Sequence, residues 1–289
     1  MHSSHLNPHE PLAESAPLMW RQAQTECGPQ CRAYHGVWQY LRLLGVISSI
    51  RGDSAYFIEA IRRLAHDGEL QRVLISGAAD YGTLAHVLAA CRAEKVEPEV
   101  TVVDLCRTPL NNNAWYARRT HARIQTIQHD ILTFADAAPF DLICTHSFIG
   151  RFDPEARANL LGHWFDLLRP GGWVLTSKRV RPGHAEPTIS YSSAQADAFE
   201  ARLRKAALAY PGQLEVGLDE LCQAGRAYAL GKFNYNLRSA DELRSIFKAG
   251  GFEVVDLDTP EPLPASIDKP SVVEHGNSRR VRVLARRPL

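Results

Sequence analysis

The sequence predicts an α/β fold with a mostly parallel sheet covered by helices on both faces. Three observations predict it. From Arg72 onward, short continuous apolar segments alternate with helical stretches, the pattern of strands buried on both faces. The first segment runs through RVLISGAADYG into a helix at Thr83–Cys91, a strand, glycine turn and helix N-terminus that together suit a nucleotide-type ligand. The length, 289 residues, holds one large α/β domain with a substantial cap.

Taken in order, residues 1–26 read as a flexible leader, polar and punctuated by proline, with His2, His5 and His9 as a solvated tail. Residues 27–69 read as a helical prefix or lid. In QCRAYHGVWQYLRLLGV, Tyr34, Val37, Trp38, Leu41 and Leu44 share a stripe, and His35, Gln39 and Arg42 fall beside it. Asp53 is expected to cap a second helix, SAYFIEAIRRLA. The core then follows at 70–181 and 238–289. Its strands are expected at 72–76, 100–104, 124–129, 140–146 and 173–180, with helices near 82–95, 111–122 and 153–168. The alternation breaks at Arg181–Gly183, and helices near 192–209 and 214–230 form an inserted cap, 182–237. Ser239 is expected to cap ADELRSIFKAG, after which FEVVDLD and RRVRVLARR supply two more strands.

The apolar share of 45% and charged share of 22% are those of a globular protein. The net charge of +1 gives no electrostatic case for a nucleic-acid partner or an acidic membrane. No apolar run approaches the roughly 20 residues of a membrane span, and no apolar signal segment opens the chain. A cytoplasmic protein is therefore expected. The six cysteines read as free and buried, without a CxxC pair. Cys27, Cys31 and His35 would share a face of one helix, but Gly28–Pro29 interrupts the span, and no metal site is expected.

The order of GAADYG, VVDLC, QHDIL, FDLICTHSF and LLRPGGWVLTSKR resembles the class I S-adenosylmethionine-dependent methyltransferases. The likeness covers about residues 70–180 and resumes at 239–289; its most specific piece is Leu167–Gly172, LLRPGG. It implies a Rossmann-like methyltransferase fold of seven strands, the last one antiparallel. It implies S-adenosyl-L-methionine as cofactor and transfer of a methyl group to an oxygen or nitrogen atom of a small-molecule substrate. A homodimer through the prefix helices is compatible with the sequence.

The expected donor site follows. The turn contributes Gly77, Ala78, Ala79, Asp80 and Gly82. Ala79 stands where a dinucleotide site carries a glycine for close pyrophosphate approach, which favours a donor without phosphate. Asp104, about 20 residues beyond the turn, stands where a carboxylate accepts hydrogen bonds from two ribose hydroxyls. Leu105 would lie against the adenine. The resemblance assigns Asp130 and Ile131 to the adenine and His146 and Ser147 to the donor's methionine end. It also places an acid two positions before the first turn glycine, where this chain has Ile75; Asp80 either replaces that acid or serves the turn as a cap.

His146 is the first candidate for a catalytic base, the other reading being a hydrogen-bond former in the donor pocket; His35 is the second. Tyr34, Trp38, Arg42, Phe148 and Tyr235 are candidates for substrate binding, with core packing as the other reading of the prefix aromatics. Two other functions stay open at this point. One is a degenerate methyltransferase fold that binds a metabolite or partner; the other is an NAD(P)-dependent oxidoreductase.

Overall fold

A computed structural model of the chain describes residues 8–260 and 278–289. Three helices come first: α1 Leu12–Glu26, α2 Pro29–Leu43 and α3 Ser54–His66. The alternating part follows as β1 Arg72–Ser76, α4 Gly82–Ala93, β2 Glu99–Asp104, α5 Arg107–Arg119, β3 Ile124–Gln128, β4 Phe140–Cys144, α6 Pro154–Leu167 and β5 Leu168–Val180. The cap carries β6 Thr188–Ile189, α7 Ser193–Leu208, α8 Leu218–Leu230 and β7 Asn234–Tyr235. The chain closes with α9 Ala240–Ala249, β8 Glu253–Asp258 and β9 Arg279–Arg286.

Seven strands form one sheet in the order β3-β2-β1-β4-β5-β9-β8. β1 to β5 run parallel, and β9 runs antiparallel to both β5 and β8, the expected inserted last strand. Alternate residues of each strand serve opposite faces. Val73 and Ile75 pack with α3 and α4 through Phe57, Ile61 and Leu84. Leu74 and Ile143 pack on the other side with α6 and α9 through Leu160, Trp164 and Phe247. The chain moves outward from β1 through β2 to β3, then returns to β4 on the other side of β1. That reversal opens a crevice at the carboxyl ends of β1 and β4, where open α/β sheets take ligands.

The prefix and the cap share a core of their own, in which Trp20, Tyr40 and Leu41 meet Phe199, Leu203 and Tyr228. The residues read as a flexible leader contain α1. Ala16, Met19, Trp20 and Ala23 form its buried stripe, a helical spacing interrupted in the sequence by Pro17. His2 and His5 lie outside the described residues. Among the described residues, no helix is long and apolar enough to cross a membrane.

Other expectations needed adjustment. The helix expected from 111 begins at Arg107, the one from 214 begins at Leu218, and the strand expected from 173 begins at Leu168. Ser239 caps α9 by accepting Glu242 N–H, as expected. Asp53 occupies the N-cap position of α3, but its side chain makes no capping bond. Its carboxylate is engaged elsewhere, as described below.

Candidate active site

The turn after β1 is shaped by a left-handed residue. Gly77 has φ +72°, and a Cβ there would stand 2.4 Å from the Phe148 ring. The next N–H, that of Ala78, donates to Asp104 Oδ2 at 2.9 Å, and Cys106 N–H donates to Asp104 Oδ1 at 2.8 Å. Asp104 thus ties the turn to the end of β2, and each oxygen keeps a second lone pair. Burial raises its pKa, against the two main-chain N–H groups. Leu105 beside it is 68% exposed at the cavity wall and offers an apolar surface there.

Asp80 is already engaged. Its Oδ1 accepts Gly82 N–H at 2.9 Å, an Asx-type turn, and its Oδ2 accepts Arg42 Nη1 at 2.5 Å and Gln39 Nε2 at 3.3 Å. The other arm of Arg42 holds Glu10. The polar face of α2 is therefore buried against the turn, with His35, Gln39 and Arg42 each at most 6% exposed.

A second network lies across the crevice. Asp53 Oδ2 accepts His146 Nε2 at 2.8 Å and Ser177 Oγ at 3.0 Å, and Asp53 Oδ1 accepts Arg282 Nε at 2.9 Å. Arg280 Nε stands 3.4 Å away. Burial opposes the charge on Asp53, but Arg280 and the His146 hydrogen bond outweigh it and hold the pKa well below the usual range. Burial lowers the pKa of His146 despite Asp53, leaving the ring neutral at pH 7. Donation from Nε2 to an ionised carboxylate assigns the proton to that nitrogen and leaves Nδ1 as an acceptor. Ser147 follows at φ +59°, its Oγ accepting Arg280 Nη1 at 2.7 Å.

Asp53→Asn is expected to lower stability at pH 7 by about 2–3 kcal/mol, because it leaves buried cations with one neutral acceptor. A depressed carboxylate contributes stability that is full above its unfolded pKa, near 4, and is lost as pH falls through the folded value. Urea unfolding should therefore show the gap between wild type and variant at pH 7 and a narrower gap below about pH 4.

Cations and aromatics face the same cavity from β5 and the cap. Lys178 is 3% exposed, and burial together with Arg181, Arg157 and Arg280 pushes its pKa down to about 7. Lys232 is pushed down to about 7 by burial and by Arg181, Arg179 and Arg280. Among the described residues neither lysine pairs with a carboxylate, although Lys232 Nζ lies 5.7 Å from the Tyr228 ring centre. Tyr34 stacks on Trp38 at 5.3 Å and on Tyr228 at 5.7 Å. The Trp38 indole N–H and Arg181 Nε are buried without hydrogen-bond partners among the described residues.

A fourth group sits beside Asp104. Cys27 Sγ lies 3.3 Å from His35 Nδ1, 3.5 Å from Cys106 Sγ and 3.1 Å from Thr108 Oγ1. Cys31 Sγ lies 3.9 Å from Cys106 Sγ. The Cys27 hydrogen bond, with help from His35, outweighs burial and lowers the pKa of the Cys106 thiol. Burial opposes charge on His35, but its thiol partners raise it to about 9.

One cavity of about 820 Å³ brings nearly all the expected residues together. The turn residues Gly77 to Asp80, the strand-end residues Asp104, Leu105, Asp130, Ile131, His146 and Ser147, and the prefix residues Tyr34, His35, Trp38 and Arg42 line it, with Phe148. Two residues do not. Gly82 starts α4 beneath the wall, packed against Asp80 and the Arg42 guanidinium. Tyr235 turns away to meet Phe233 edge-on, while its strand neighbour Asn234 takes the wall, as alternation along β7 requires. The expected role of Arg42 toward substrate is modified by Asp80 and Glu10, which occupy its guanidinium. His35 is engaged by thiols rather than aimed at an acceptor.

Sequence reasoning missed Asp53, Lys178, Lys232 and Arg280. A signal existed for Arg280: an antiparallel last strand begins at the carboxyl edge of its parallel neighbours, so the first residues of RRVRVLARR had to stand at the site.

A sequence model of a methyltransferase domain matches residues 49–257. No curated protein matches the chain. Among solved structures, an S-adenosylmethionine-dependent methyltransferase from Clostridium acetobutylicum aligns with a TM-score of 0.54 at 12% identity, covering 86% of this chain and 96% of its own. The 1,6-didemethyltoxoflavin-N1-methyltransferase of Burkholderia thailandensis, solved with 1,6-didemethyltoxoflavin and S-adenosylhomocysteine, aligns with a TM-score of 0.53 at 18% identity, covering 98% and 93%. At these identities the likeness establishes the fold.

Proposed function

The chain belongs to the methyltransferase-domain family, whose methyl donor is S-adenosylmethionine, and from that premise we propose that it methylates an oxygen or nitrogen atom of a small anionic molecule. The observation that carries the acceptor class is a pair of lysines, buried Lys178 and half-buried Lys232, standing in the cavity wall without carboxylate partners among the described residues. Charge buried without a partner is unfavourable, and an anionic ligand between those amines would compensate it. The adjoining stack of Tyr34, Trp38 and Tyr228 suits a planar ligand body.

The residues present fit the donor. The exposed Leu105 and the Ile131 backbone offer an apolar slot for its adenine, beside Asp130. The unused lone pairs of Asp104 match two vicinal hydroxyls. When bound, this donor supplies a sulfonium-activated methyl group for in-line displacement.

The chain's own contribution is placement and proton handling. Lys178 and Lys232 hold the acceptor by its anion and so align its nucleophile, which is where much of the rate of such a displacement arises. His146 Nδ1 takes the acceptor's proton, with Asp53 fixing the ring and its tautomer. The prefix and cap close the cavity from water.

Calorimetry with S-adenosylhomocysteine, followed by donor turnover on a panel of aromatic carboxylates and phosphate monoesters, tests this reading. Binding of S-adenosylhomocysteine and transfer to an anionic acceptor are expected, with His146→Asn lowering kcat at least about 100-fold while donor affinity holds. Failure of the folded wild type to bind S-adenosylhomocysteine would sink the reading. Binding without transfer to any acceptor would favour a second one, a donor-binding protein without turnover. Its support is Ile75 at the usual acidic place and the neutralisation of Asp80 by Arg42.

A further inference from the structure

We propose that Cys27, Cys31, His35 and Cys106 bind one Zn²⁺ in a closed tetrahedral site that staples the prefix helices to the end of β2. The four ligand atoms all lie within 4.8 Å of one another. With Zn–S near 2.3 Å and Zn–N near 2.0–2.1 Å, a tetrahedron has edges of about 3.8 Å between sulfurs and about 3.6 Å between sulfur and nitrogen. Three of the six edges are 3.5 and 3.9 Å between sulfurs and 3.3 Å from Cys27 to His35, and the other three are no longer than 4.8 Å. Three edges therefore match a filled coordination shell, and a small inward shift of the side chains closes the rest.

The sequence explains how the groups converge. Cys27 ends α1, Gly28 is the N-cap of α2 and Pro29 is its first residue. The break at Gly28–Pro29 is thus the bend that turns Cys27 back toward the helix. Cys31 and His35 are four apart on α2 and share a face. Cys106 comes from the N-cap of α5, far along the chain. Cys27, His35 and Cys106 are at most 9% exposed, so the site is sealed on most sides. Thr108 Oγ1, 3.1 Å from Cys27 Sγ, is positioned to donate to the thiolate.

Ligand chemistry selects the metal. Three thiolates and one imidazole form a soft, four-coordinate set typical of structural zinc. All four positions come from the protein, so no open site remains for a substrate. Binding displaces three protons from the cluster to solvent and leaves a complex of net charge −1, three thiolates and a neutral imidazole on Zn²⁺. A disulfide between Cys27 and Cys106 would use only two of the four groups and leave Cys31 and His35 without a role. The site also bears on the donor pocket, because Cys106 N–H is one of the two main-chain donors that hold Asp104.

The test is metal analysis of the full chain, untagged and purified without chelator, together with Co²⁺ exchange. We expect about one zinc per chain. The cobalt form should show thiolate-to-cobalt charge transfer in the near ultraviolet and intense tetrahedral ligand-field bands in the visible. Cys91→Ala, a buried cysteine outside the cluster, should keep the stoichiometry, and Cys106→Ser should lose it. If Cys106→Ser fails to fold, the cobalt spectrum of the wild type still decides. A folded wild type that takes up neither metal overturns the proposal, as does a mass short of two hydrogens from a Cys27–Cys106 disulfide.

Discussion

Lys178→Met is expected to raise the melting temperature at pH 7 by roughly 5–10 °C. The wild-type lysine is buried, with burial and then its cationic neighbours moving its pKa from 10.5 to about 7. Above pH 10.5 the amine is neutral in both folded and unfolded chains and costs nothing by this route. As pH falls, the unfolded amine takes up a proton that the folded one resists, and the penalty grows until pH 7, below which it is constant. At pH 7 it is on the order of 4 kcal/mol. Methionine fills the same volume without the charge. The gain of the variant should therefore be largest at and below pH 7 and fade toward pH 10. Inorganic phosphate, as a probe anion, should stabilise the wild type more than the variant by mass action. A variant less stable than wild type at pH 7 would remove Lys178 from the role of strained anion receptor. The stability deficit serves a function: the uncompensated cation is tolerated where a ligand is meant to supply the counter-charge.

How much of this was legible in the sequence depends on how far apart the interacting residues lie. The parallel strands were legible because burial on both faces leaves continuous apolar runs, as in VTVVD and FDLIC. Strand ends were legible for the same reason, which put Asp104, Asp130 and His146 at the cavity. Asp53 was misread because the local rule for an acid before a helix is sound, while its actual partner Arg282 lies 229 residues along the chain. No local spacing could reveal that pairing. Cys106 is a similar case, 75 residues from Cys31; the two segments meet only because β2 delivers its end beneath α2. The helix α1 was hidden by composition, since its buried stripe is interrupted by Pro17 and flanked by polar residues. Lys178 was read correctly as a strand residue, but a charge inside an apolar strand was passed over as a chemical signal.

Asp104→Asn is expected to weaken S-adenosylhomocysteine binding on the order of 100- to 1000-fold, the loss of two charge-assisted hydrogen bonds. The carboxylate already accepts Ala78 N–H and Cys106 N–H, one on each oxygen. Asp104 lines the cavity, and both of its oxygens are free to accept only while the group is ionised. An amide keeps one oxygen and turns its NH₂ toward an N–H that needs an acceptor. The turn therefore loosens as well as losing a ligand contact, and thermal unfolding should show a decrease of about 1–3 kcal/mol. Asp130→Asn separates the two effects. Asp130 is exposed and makes a single bond of this kind, from Leu132 N–H at 3.0 Å, so its replacement should reduce affinity by about 10-fold or less. Acidification supplies an independent readout. Burial raises the pKa of Asp104, so donor affinity should decline above the ordinary carboxylate range as pH falls, and the Asn variant should lose that dependence. Affinity within twofold of wild type at pH 7, in a variant shown to be folded, would take Asp104 out of the donor site and move the ribose to another part of the crevice.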